Sequence, residues 1–143
     1  MRGWQLQDGD LVLGGAGFAE VTGSDKIAQD MSIATAEPFG CDVYHPSWGS
    51  LLINYVGQTV GALTQSMISA EINRLINNYM TIQTATVNAA AVNGIQSPYA
   101  VSDLVAGVAS IDVIQSYDSF NVSVTLLTAA NQTVTIANTV TLA

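Results

Sequence analysis

Four of the 11 acids and one thiol–imidazole pair are the candidates in this chain for doing chemistry. Glycoside hydrolysis needs two carboxylates roughly 5–10 Å apart, one of them held protonated by its surroundings. Glu20, Glu37, Glu71 and Asp42 are the candidates, and Glu37 and Asp42 flank one short turn. Cys41 and His45 stand four residues apart in that same turn. A nucleophile–base pair also wants a third group to orient the base and an oxyanion hole. Neither is visible in the spacing. One His and one Cys give two ligands where zinc takes about four, so neither a metal nor a cofactor is expected. Glu37 and Asp42 read more simply as turn-shaping residues, Cys41 as a small buried hydrophobe. No catalytic residue is assigned.

The stretch that holds them, TAEPFGCDVYHPSWGS, runs from Thr35 to Ser50. Pro38, Gly40, Pro46 and Gly49 shape the chain there, between two helices. Phe39, Tyr44 and Trp48 are expected to anchor the turn on the core or on a partner.

The elements around it follow from periodicity. Leu11–Leu13 and Phe18–Val21 are expected to pair as a hairpin across Gly14 and Gly15. Thr22, Gly23 and Ser24 offer an N-cap, and Ile27, Met31 and Ala34 follow at helical spacing. This predicts a helix over Asp25–Ala36 that Pro38 and Gly40 stop. A short helix is expected between Ser50 and Gly57. The strongest helical signal lies in VGALTQSMISAEINRLINNYM, where Ile68, Ile72, Leu75, Ile76 and Tyr79 share a face. Thr84–Asn93 fits helix by its Ala and strand by its Thr and Val, and a loop follows it.

The C-terminal part is β by alternation. GVASIDVIQSYD is one strand, joined to the next through YDS. In FNVSVTLL, Phe120, Val122, Val124 and Leu126 point one way. In TVTIANTVTL, Val134, Ile136, Val140 and Leu142 share a parity, and TAANQ reads as the hairpin turn between these runs. The fold class is therefore α+β: one small domain over residues 1–143, with an N-terminal hairpin and helices packed on a C-terminal antiparallel sheet. The last strand is a candidate open edge. Its Thr-rich face lacks the Lys, Pro or bulge that usually blunts one.

Composition bounds the partners. Three Lys+Arg against 11 Asp+Glu give a net charge of −8. That is too few cations to neutralise nucleic-acid phosphates or to seek an anionic membrane. Acids near the start of the chain argue against a signal peptide, and synthesis in a reducing cytoplasm is expected. Charged residues are only 10 %, against a usual quarter. A surface of Thr, Ser, Asn and Gln is cheap to desolvate, which fits contact with other proteins.

Residues Thr22–Leu52 resemble the tail-sheath initiator family of contractile-tailed phages, small baseplate proteins often labelled lysozyme-like; type VI secretion uses a similar component. The residues that carry the resemblance are Gly23, Asp25–Lys26, Gln29, Thr35, Pro38, Gly40 and the run Tyr44-His45-Pro46-Ser47-Trp48-Gly49-Ser50. They cover around a fifth of the chain. The resemblance implies a non-enzymatic structural protein of the virion, present in several copies around the tail tube. It implies the sheath protein and the baseplate wedge proteins as partners, with the tube a further candidate. Strands of the first sheath ring would add to a sheet edge, for which Val134, Thr135, Ile136, Thr139 and Val140 are the candidates. The family carries a Glu-Pro-Arg motif after its long helix, and Met80, Thr81 and Ile82 stand in its place here. Tyr79, Met80 and Thr81 are the candidate docking residues, for a partner surface that differs accordingly. The alternatives are a peptidoglycan-cleaving enzyme, as the label implies, and another tail accessory protein.

Overall fold

The computed structural model describes residues 2–15, 17–55, 58, 61–116 and 119–141. It is α+β. Six two-residue strands open the chain: β1 Gly3–Trp4, β2 Leu6–Gln7, β3 Asp10–Leu11, β4 Leu13–Gly14, β5 Gly17–Phe18 and β6 Glu20–Val21. Helix α1 spans Gly23–Ala36, a 3-10 turn Leu52–Tyr55 and helix α2 Ala62–Val92. A second 3-10 turn, Val101–Asp103, leads to β7 Val105–Gln115, β8 Ser119–Thr128 and β9 Thr133–Thr141.

The N-terminal segment is not the single hairpin expected. Leu13 does pair with Phe18, but Leu11 pairs with Leu6, and Glu20–Val21 pair with Gly3–Trp4. Asp8 and Gly9 explain the difference. Both have positive φ, 53° and 88°, which a two-residue type I′ turn requires. The Asp-Gly turn makes its own ribbon from β2 and β3. Three ribbons therefore meet at a centre closed by a ring of hydrogen bonds. Gln5 N donates to Ala19 O (2.8 Å), Ala19 N to Val12 O (2.8 Å) and Val12 N to Gln5 O (3.0 Å). The side-chain amide of Gln29 on α1 holds this trefoil. Its Nε2 donates to Trp4 O at 2.9 Å and its Oε1 accepts Leu6 N–H at 2.8 Å.

The C-terminal sheet is antiparallel with order β7-β8-β9. The predicted inward set of β8, Phe120, Val122, Val124 and Leu126, is buried, and so are Val134 and Ile136 of β9. Leu142, the side chain of Val140 and Tyr117 and Asp118 of the YDS link lie outside the described residues. The helices cover this inner face. Ile27, Met31 and Ala34 from α1 join Ile68, Ile72, Leu75, Ile76 and Tyr79 from α2 in one cluster with the strands. Each large side chain taken from water there contributes about 1.5–3 kcal/mol.

Helix α2 continues through Thr84 to Val92, with Asn93 as its C-cap, where the sequence allowed either structure over Thr84–Asn93. A helix already nucleated gains one hydrogen bond per added residue, and Ala is the best helix former. Asn93 and Gly94 end it. Gly94 has φ 64°, and Ile95 N donates to Ala90 O while Gly94 N donates to Ala91 O, the Schellman pattern. Buried Gln83 then ties the helix to the sheet. Its Nε2 donates to Asp103 O (2.7 Å) and its Oε1 accepts Val105 N–H (3.0 Å).

Candidate interaction site: a braced turn and a smooth sheet edge

The turn after α1 is built on backbone hydrogen bonds. Ser50 N donates to Glu37 O (2.7 Å), Phe39 N to Ser50 O (2.9 Å) and Gly40 N to Trp48 O (3.0 Å). Pro38 and Ser50 thus form a short parallel bridge. Gly49 makes the close approach possible. Its φ is 91°, and a Cβ there would sit 2.5 Å from Pro38 O. Gly40 also has positive φ, 78°, but a Cβ there would come no nearer than 3.7 Å to Pro46 O. The Ser50 hydroxyl donates to Thr35 O at 2.8 Å, so the turn is stitched to the last helical turn of α1.

A buried ion pair on α2 clamps the turn from below. Glu71, 5 % exposed, takes Arg74 in a bidentate pair, Nε to Oε2 at 2.8 Å and Nη2 to Oε1 at 2.7 Å. Glu71 Oε1 also accepts Leu51 N–H (2.8 Å), and Arg74 Nη2 donates to Gly49 O (2.8 Å). The guanidinium lies 4.7 Å from the ring centroid of Phe39. Hydrogen bonding to Glu71 raises the Arg74 pKa further. Sequence reasoning missed this clamp. Its signal was present: an acid and a base three apart, i and i+3, on the most apolar helix of a chain with few cations.

The tip of the turn is held by Asp42. Its Oδ1 accepts Tyr44 N–H (2.8 Å) and His45 N–H (3.2 Å), and its Oδ2 lies 3.0 Å from His45 Nδ1. The Tyr44 N–H bond, followed by the His45 contacts, holds the Asp42 carboxyl below its ordinary value of 3.8. The native state therefore binds the proton more weakly than the unfolded chain. The tip's ordering is complete above the ordinary pKa and is lost as pH falls through the depressed one. An acid titration followed by NMR should show the Tyr44 amide shifting with a midpoint below 3.8. A midpoint at or above that value would mean that the Asp42 turn does not persist in solution.

The anchors divide. Trp48 packs against the core, its ring centroid 6.1 Å from that of Tyr79. Phe39 lies against Arg74. Tyr44 is 90 % exposed and Val43 lies beside it in the open. Of the candidate docking residues, Tyr79 is buried and donates its hydroxyl to Asp30 Oδ2 at 2.7 Å. Burial, then the Asp30 charge, pushes its pKa up. Met80 packs against the core, while Thr81 is exposed and donates to Asn77 O. Gly23 opens α1 with φ 62°.

The acids weighed for catalysis are apart in role. Glu71 is in the clamp, Glu20 pairs with Arg2 at 3.2 Å, Asp42 holds its own loop, and Glu37 uses its backbone to close the turn. Cys41 is exposed rather than buried as expected, because the turn holds it through its backbone, its N–H donating to Pro38 O. No group of three or more His, Cys, Asp or Glu among the described residues could hold a metal ion, and no helix there is long and apolar enough to cross a membrane.

The sheet has two edge strands, and they differ. β7 shifts register against β8 between Val105 and Gly107 and again between Val108 and Ser110. β9 keeps one register with β8 through nine consecutive pairs, Leu127–Thr133 to Ser119–Thr141. The hairpin fixes which groups face out. Asn131 has φ 59°, Asn131 N donates to Thr128 O, and Thr128 N donates to Gln132 O, a three-residue loop with a bulge. Alternation from that bonded pair turns the backbone groups of Val134 and Ile136 toward β8. Those of Thr133, Thr135, Ala137 and Thr139 point away from it. The Val134 and Ile136 side chains are buried, and those of Thr135 and Thr139 are exposed.

No family model, no curated protein and no solved structure matches this chain.

Proposed function

We propose that this chain is a structural, non-enzymatic baseplate protein of a contractile tail that nucleates the tail sheath. The β9 edge receives strands from the first sheath ring. Several copies stand around the tube, held by wedge proteins, and act together, so each contact can be modest while the ring holds. Three observations support the reading: the resemblance over Thr22–Leu52, the α+β architecture and the edge itself. The edge carries it. An incoming strand needs a row of outward N–H and C=O groups in unbroken register, and β9 supplies one where β7 is bulged.

Proline at an outward position leaves the β8–β9 ladder intact and removes a bond to the added strand; Thr139→Pro also loses the exposed bond that Thr139 Oγ1 donates to Asn121 Oδ1 at 2.9 Å. Particles carrying Thr135→Pro or Thr139→Pro should assemble full-length sheaths about tenfold less often than wild type, the loss expected from about 1.4 kcal/mol per contact. The purified variants should keep their melting temperature within a few degrees. Full-length sheaths by electron microscopy at wild-type frequency in both variants would refute strand addition at β9.

A further inference from the structure

The trefoil at the N-terminus presents an apolar face that stands open to solvent. Backbone alternation and the three ribbon registers agree on its membership. Leu13 opposes Phe18, Leu6 opposes Leu11 and Trp4 opposes Glu20. Within each passage through the centre, the residues on either side of Gln5, Val12 and Ala19 share a face. Trp4, Leu6, Leu11, Leu13, Phe18 and Glu20 therefore lie on one side. The Trp4 and Phe18 rings meet edge to face at 5.6 Å. Leu13 is 78 % exposed and Trp4 55 %, and Leu11 and Phe18 are each nearly half exposed. Single exposed apolar residues are ordinary, but four large ones on a module this small mark an interaction surface.

The charge beside the face selects the occupant. A cleft of about 630 Å³ opens between the trefoil and α1. Asp8, Glu20 and Asp25 line it, and among the described residues no Lys or Arg does. Leu6 and Glu20 line the cleft and also belong to the apolar face, so the two are continuous. Arg2, bonded to Glu20 at 3.2 Å, is the counter-charge beside it. A second copy of this chain would bring more acid to the same place, at a net −8 per copy. An anionic lipid surface would be repelled for the same reason.

We infer that the trefoil face and its acidic cleft are a docking site for a basic, apolar-faced segment of a different protein. Apolar side chains of that segment cover Trp4, Leu13 and Phe18. Its Lys or Arg side chains enter the cleft toward Asp8 and Asp25. The site is separate from the β9 edge and stands whether or not strands add there.

The test uses the full chain and a synthetic peptide of alternating Leu and Lys, followed by the change in tryptophan fluorescence, to which Trp4 and Trp48 both contribute, and by calorimetry. Leu13→Ser with Phe18→Ser keeps the net charge and should weaken binding at least tenfold, as loss of a central apolar anchor does. A Ser/Lys peptide should bind at least tenfold more weakly than Leu/Lys, and a Leu/Glu peptide should not bind. Asp112→Asn, on β7, should leave the affinity unchanged. Unchanged binding by the double Ser variant, or equal binding of the Ser/Lys peptide, would overturn the assignment. So would a dimer or vesicle binding that the double Ser variant abolishes, because the occupant would then be a second copy or a membrane.

Discussion

Gly49→Ala is expected to destabilise the fold by about 2–5 kcal/mol, the sum of two costs. An L-residue in the left-handed region costs roughly 1–2 kcal/mol, and Gly49 sits there with φ 91°. The new methyl would also lie 2.5 Å from Pro38 O, 2.8 Å from Pro38 C and 2.9 Å from Glu37 O. All three are backbone atoms, so no side chain can swing aside. Relief requires the Pro38–Ser50 bridge to part, which loses the Ser50 N–Glu37 O and Phe39 N–Ser50 O bonds, each about 0.5–1.5 kcal/mol. Gly40→Ala isolates the first cost. It has the same kind of φ but only a 3.7 Å contact, so about 1–2 kcal/mol is expected. Urea denaturation of the two variants checks both figures. Equal losses would show that the close approach at Gly49 is not part of the folded state.

Arg74→Ala is expected to cost about 3 kcal/mol, the range for stranding one half of a buried ion pair. The substitution strands the Glu71 carboxylate, which is 5 % exposed in the wild-type fold, with the Leu51 N–H its remaining donor from the turn. It also frees Gly49 O and uncovers Phe39. The guanidinium is one-third exposed, so solvent screens part of the attraction, and the figure is set below the upper end of that range. Glu71→Ala in the same background should recover about half of the loss, because the stranded charge goes with it. Arg2→Ala is the control. Its pair with Glu20 is surface-exposed and should be worth less than about 1 kcal/mol. Thermal melts of Arg74→Ala, Glu71→Ala, their double variant and Arg2→Ala complete the cycle. Additive effects at residues 71 and 74 would mean that the clamp is not formed.

The two substitutions bear on function through position. The clamp, the Pro38–Ser50 bridge and the Asp42 tip fix the segment Thr35–Ser50, between the helix under β9 and the long helix under β7. A loosened turn would let α1 shift, and α1 packs with Val134 and Ile136 in one core. Loss of the turn should therefore weaken the register of the edge as well as the stability of the chain.

The sheet and both main helices were legible because their patterns are long. Phe120, Val122, Val124 and Leu126 alternate over four periods, and Ile68 to Tyr79 keep one helical face; burial follows such patterns closely. The trefoil was not legible from hydrophobic pattern. Its strands are two residues long, shorter than any period, and its order comes from Asp8-Gly9, from Gln29 and from a ring of backbone bonds. The turn was legible as a shaped segment, through Pro38, Gly40, Pro46 and Gly49. What clamps it was not, because Glu71 and Arg74 lie some 20 residues along the chain, and contacts at such separation leave no local periodicity. Gln83 escaped notice for a related reason. A polar residue in an amphipathic helix reads as solvent-facing, yet its amide replaces a missing strand partner for Asp103 and Val105. The direction of Thr135 and Thr139 on the edge needed the hairpin geometry at Asn131, which sequence alone identifies only as a turn.

The central claim is that β9 receives a strand from another protein. A cryo-electron microscopy map of the assembled tail, at a resolution that traces backbone, tests it most directly. The expected map shows an extended segment of the sheath protein beside β9, its backbone groups paired with those of Thr135 and Thr139. A map in which this chain contacts the sheath while β9 remains unpaired, or in which the added strand lies against β7, would contradict the claim.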